Sequence, residues 1–131
     1  MIKIVLAIIM LSGMLWSLDW AKDFDTAIAT AEKEHKNVMV MVEGKTCRWC
    51  KKMKSSTFSD ETIEKSLEKF VVVNVMREDV KAMSKLPPID GVPTIFFMQA
   101  NKAVIWEVLG YENVLDFNAT LNDVVKKAKS L

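Results

Sequence analysis

With 131 residues, 18 basic and 17 acidic, the chain has a net charge of +1, and half of its residues are hydrophobic. That length suits one domain with a core large enough to need no covalent staple. The charge balance gives no electrostatic basis for binding nucleic acid or an anionic membrane surface, so no nucleic-acid partner is expected.

The chain opens with Lys3 and then runs apolar from Ile4 to Leu18, broken only by Ser12, Gly13 and Ser17. A stretch of that length matches the core of a secretory signal and falls short of the roughly 20 residues that a spanning helix needs. Residues 1–17 are therefore expected to be a signal peptide, with an uncleaved membrane anchor as the alternative, and residues 18–131 the mature domain. The apolar run is not followed by a cysteine that could take a lipid. Export would put the chain's two cysteines in an oxidising compartment, periplasmic or otherwise extracytoplasmic, where disulfides persist.

Between Asp23 and Lys36, Phe24, Ala27, Ile28, Ala31 and His35 recur at helical spacing, with Asp23 and Asp25 as candidate N-caps and His35 as a helix-end residue. The run from Asn37 to Val42 has strand length and is apolar on both sides of the pleat, as in a strand covered on both faces. Gly44 and Lys45 break it, and a helix is predicted from Cys47 to about Ser56. Ser59-Asp60-Glu61 opens a further helix through Ile63, Leu67 and Phe70. A second strand is predicted over Val71–Met76, then a short helix from Asp79 that ends before Pro87-Pro88. Gly91-Val92-Pro93-Thr94 leads into a third strand, Ile95–Met98. A turn at Ala100-Asn101 joins it to a fourth, Lys102–Val108, as an antiparallel hairpin. Asn113 caps a last helix whose Val114, Phe117, Leu121, Val124, Val125 and Ala128 form one apolar stripe.

The chemistry concentrates at Cys47-Arg48-Trp49-Cys50, on the junction between a strand and a helix. A thiol at a helix N-terminus is favoured as thiolate by the dipole and the free N–H groups, and Lys45, Arg48, Lys51, Lys52 and Lys54 add positive charge nearby. Cys47 is thus the candidate nucleophile, with Cys50, one turn further in, as the resolving thiol and Arg48 as a supporting cation. Zinc takes about four ligands, and His35 is the one histidine available to join the two thiols, so no metal is expected. Haem attachment needs a histidine where Lys51 stands. A purely structural disulfide is the alternative.

The order strand, Cys-x-x-Cys helix, strand, helix, then Gly-Val-Pro-Thr before a hairpin and a terminal helix resembles the thioredoxin superfamily over Leu18–Leu131. Cys50-Lys51-Lys52-Met53, Thr57-Phe58-Ser59-Asp60 and Trp20 resemble its branch of small exported proteins related to the C-terminal domain of the bacterial reductant conductor DsbD. The resemblance implies an α/β fold with a central mixed sheet of four to five strands flanked by helices. It also implies a cis proline at Pro93 beside the cysteines, with Val92 and Pro93 contacting a protein disulfide substrate. No organic cofactor is implied, because the thiols themselves hold both electrons. A membrane thiol electron donor is implied for the reductases of this branch, and a monomeric chain is expected. Two departures stand out. The acid common in thioredoxins six residues before the first cysteine is replaced by Met41, leaving Glu43 as the nearest acid for proton transfer, against the simpler reading of a solvated strand-end glutamate. Arg48-Trp49 replaces Gly-Pro between the cysteines, and Trp49 is a candidate partner contact, with packing against its own domain as the alternative.

Overall fold

The computed structural model describes residues 18–131; the expected signal segment 1–17 lies outside the described residues. Five strands, β1 (Trp20–Ala21), β2 (Asn37–Glu43), β3 (Phe70–Met76), β4 (Thr94–Met98) and β5 (Val104–Leu109), form one sheet in the order β1-β3-β2-β4-β5. The β1–β3 and β3–β2 pairs are parallel, and β2–β4 and β4–β5 are antiparallel. The sheet is mixed, as the resemblance implied. Among the described residues no helix is long and apolar enough to cross a membrane.

Alternation along the strands builds two core layers, because successive side chains leave opposite faces of the pleat. Val38, Val40 and Val42 of β2 join Val71, Val73 and Val75 of β3 on the face covered by α1 (Phe24–Glu34) and α4 (Val80–Met83). Met39 and Met41 join Phe70, Val72, Ile95 and Phe97 on the other face, under α2 (Arg48–Lys52), α3 (Glu61–Leu67) and α5 (Val114–Lys129). Five consecutive residues of β2 are buried because helices cover both sides of it.

Local capping sets most helix starts. Asp23, Asp60, Asp79 and Asn113 each accept a backbone N–H three residues on with a side-chain oxygen, satisfying a donor that the first turn cannot pair. Helix α1 ends at His35, which takes left-handed backbone angles as its C-cap, so this histidine closes a helix at the end of the sheet remote from Cys47.

Several predicted boundaries move. Phe70 opens β3 instead of closing α3; its ring meets Phe97 edge-on at 5.4 Å, a contact across the sheet that helical spacing alone does not show. Strand β5 starts at Val104, because Lys102 adopts a positive φ in the hairpin turn. The helix that follows Cys47, α2, is α-helical only to Lys52 and then widens into a π turn, Met53–Thr57. The Phe58 N–H reaches back to the Met53 carbonyl at 2.9 Å. This extra residue lets Met53 and Phe58 both enter the core and turns Thr57 inward, where its hydroxyl donates to the Glu112 carbonyl at 2.7 Å. Strand β1, too short to show any periodicity, exists only through its pairing of Trp20 with Val72 and Ala21 with Val73.

Candidate active site

Cys47 and Cys50 are joined in a disulfide with their Cα atoms 5.3 Å apart. Strand β2 ends at Glu43, the chain turns at Gly44, and Cys47 is the N-cap residue of α2. Its sulfur accepts the Cys50 backbone N–H at 3.1 Å, the place a Ser or Asp oxygen fills in an ordinary cap. That geometry gives the first sulfur a fixed hydrogen-bond donor and the positive end of the helix whenever it carries charge. The two sulfurs differ in access: Cys50 is 1% exposed inside the core, and Cys47 is half-buried at its edge. Of the pair, Cys47 is the more accessible residue.

The Val92–Pro93 bond is cis. Pro93 immediately precedes Thr94, which pairs with Val42 near the end of β2, so the loop stands at the same end of the sheet as the cysteines. Thr94 holds this loop by donating its hydroxyl to the Gly91 carbonyl at 2.7 Å. The Gly110 N–H donates to the Pro93 carbonyl at 2.8 Å, which ties the loop to the end of β5. Val92 is half-buried and packs on the same cluster as Cys47.

Met41 is fully buried in the cluster that holds Cys50, so β2 places a thioether where an acid is common. Glu43 shares that face two residues on and is not a solvated strand end: its side chain is only 14% exposed. The carboxylate sits 2.5 Å from the Lys54 ammonium of the π turn and accepts from the Asn74 amide of β3 at 2.7 Å. Lys54 also lies 5.9 Å from the centroid of the Trp20 ring. One acid thus links two central strands to the active-site helix, a role that only the fold reveals.

Trp49 is 44% exposed and also packs on its own domain, with its ring centroid 5.5 Å from that of Tyr111. The Arg48 guanidinium lies 5.2 Å from the indole centroid, and the Lys52 ammonium lies 5.1 Å from the indole and 5.0 Å from the Tyr111 ring. Tyr111 carries no marker in the sequence. It follows Gly110 in a loop, and no periodicity marks it. The Tyr111 phenol is held below its ordinary value by hydrogen bonding from the Ser56 side chain, then from Thr57, with the Lys52 charge adding to the effect.

A mixed sheet with helices on both faces, a Cys-x-x-Cys pair capping a helix and a cis proline at the same end define a thioredoxin-like protein. Residues 24–125 match the family model described as a thioredoxin-like domain, and the chain belongs to that family. It is 32% identical over 90 residues to human spermatogenesis-associated protein 20, covering 68% of this chain and 11% of that protein, so it spans about a ninth of that relative's length. Among solved structures it resembles a thioredoxin from Thermus thermophilus, with TM-score 0.71 and 24% identity over 83% of this chain and 88% of the other. It also resembles the Neisseria meningitidis DsbD C-terminal domain, with TM-score 0.62 and 22% identity over 75% of this chain and 90% of the other. These structural likenesses establish the fold.

Proposed function

We propose that this protein is an exported thiol–disulfide oxidoreductase that reduces disulfides in periplasmic proteins. The main support is the asymmetry of the pair: an accessible sulfur at a helix N-cap backed by a buried one a single turn away. In the reduced protein the Cys47 thiolate attacks one sulfur of a partner disulfide; that S–S bond breaks, a mixed disulfide forms, and one partner thiolate leaves. Cys50, as thiolate, then attacks Cys47 and releases the second partner sulfur. The partner gains two electrons and two protons, and the Cys47–Cys50 disulfide is left. A thiol donor at the membrane returns the electrons. Val92 and Pro93 border the partner chain, Arg48 supports the Cys47 thiolate, and Glu43 acts through Lys54 as a positioning residue. The chain works as a monomer. Export is supported by the apolar segment within residues 1–17 and by the likeness to the DsbD C-terminal domain.

A second reading, disulfide oxidase or isomerase, has one specific support: the Arg48 cation beside the first thiol favours the reduced form, which makes a dithiol a stronger oxidant. Equilibration with glutathione separates the two. A potential near that of thioredoxin, about −270 mV, supports the reductase, and one near about −120 mV replaces it with the oxidase. In parallel, Cys50→Ala should accumulate a mixed disulfide through Cys47. If neither variant nor wild type exchanges with insulin, the pair is structural and the fold serves as a binding module.

A further inference from the structure

The surface beside Cys47 combines three features that reach beyond the thiol pair. Among the described residues Arg48, Lys51 and Lys52 have no carboxylate within ion-pair distance, whereas Lys54 is matched by Glu43. Residues 45–54 contain no acid at all, although the whole chain is almost neutral. Two of these unmatched cations are held in place: Arg48 lies on the Trp49 ring, and Lys52 is shared between Trp49 and Tyr111. A cation fixed on aromatic faces keeps its charge directed at the surface with less side-chain freedom left to lose on binding. Apolar surface adjoins it. Trp49 and Leu109 are 44% and 58% exposed, and Leu109 and Tyr111 flank the glycine bonded to the Pro93 carbonyl.

We infer that this surface selects partner segments in which the disulfide is flanked by carboxylates next to an apolar side chain. The inference rests on the proposed reductase reading and specifies its substrate class. The carboxylates complement Arg48, Lys51 and Lys52, and the apolar side chain covers Leu109 and the exposed part of Trp49. A basic segment would bring like charges together against Arg48, Lys51 and Lys52, and like-charge contacts suppress wrong partners.

The test uses three cyclic cystine peptides, identical except that the cystine is flanked by aspartates, asparagines or lysines, each with one leucine beside a cysteine. Rates of reduction by the reduced protein are divided by those for dithiothreitol on the same peptide, which removes the peptide's own reactivity. At low salt the aspartate peptide should be preferred over the lysine peptide by about tenfold, and the preference should shrink to about twofold near 0.5 M salt. Replacing leucine by glycine should slow the aspartate peptide by about fivefold, the value of one partly buried aliphatic side chain. Lys52→Glu should bring the aspartate-to-lysine ratio close to one. Lys102→Glu, the same charge change in the hairpin turn at the opposite end of the sheet, should leave it unchanged. The ratio is the relevant readout, because one thiolate attacks both peptides and any change in its reactivity cancels. Equal normalised rates for all three peptides, or a ratio that moves as much with Lys102→Glu, would overturn the selectivity and leave the reductase standing. An unchanged rate without leucine would remove the apolar half of the inference. No reduction of any peptide would instead refute the reductase reading itself.

Discussion

Glu43 and Asp25 both make ion pairs with N–O distances of 2.5 Å, yet they should differ several-fold in what they contribute to stability. Glu43→Ala removes a carboxylate that is 14% exposed and has two partners. Lys54 is 37% exposed and regains water, so its lost pairing is discounted to the surface range of about 0.2–1 kcal/mol. Asn74 fares worse. Its Oδ1 is already buried without a partner among the described residues, and losing Glu43 strands the amide N–H as well, at about 1–3 kcal/mol for a desolvated polar group. The expected destabilisation is about 2–3 kcal/mol, a fall of about 1–2 M in the urea midpoint with an unchanged slope. Asp25 is 66% exposed and its partner Lys85 30%, so Asp25→Asn should cost less than about 1 kcal/mol. Adding about 0.5 M salt should erase most of the Asp25 effect and little of the Glu43 effect, because buried partners are screened less. A Glu43→Ala cost below about 0.5 kcal/mol, or one that disappears in salt, would show that the carboxylate is solvated and does not tie the strands to the helix.

Thr57→Val should cost about 1–2 kcal/mol in urea unfolding at nearly constant volume, because it removes the hydroxyl that binds the π turn to the Glu112 carbonyl; no measurable change would show that this bond does not hold the turn. Asp23 is kept below its usual value of 3.8 chiefly by the Thr26 backbone N–H. A carboxyl lowered by folding adds stability that is complete above its unfolded value and is lost as pH falls through its folded value. Thermal unfolding of Asp23→Asn should therefore depend less on pH below about 4 than wild type does, and parallel curves would refute the assignment. Gly110 has φ +93° with open space where a Cβ would sit, so Gly110→Ala should cost about 1 kcal/mol through backbone strain alone, measured by chemical denaturation. A stabilised variant would show that the loop relaxes freely.

The sequence alone determined whatever depends on neighbours a few residues away. Helix caps at Asp23, Asp60 and Asn113, the doubly covered run of β2, the stripe of α5 and the Cys-x-x-Cys pair at a helix start are all set by hydrogen bonds and periodicities within one or two turns. The thioredoxin-like arrangement was legible for the same reason, since its two motifs are short and fixed in spacing. Tertiary structure decided everything that depends on partners far along the chain. Phe70 joined the sheet because Phe97 meets it there, and two residues around Trp20 became a strand only beside β3. Glu43 reads as an exposed strand end until Asn74 and Lys54 converge on it, and Tyr111 reads as a loop residue until the fold sets it against Trp49 and Lys52. Local pattern reports which face of an element is apolar; the identity of the side chain that covers that face, or pairs with a charge beside it, exists only once the elements have packed.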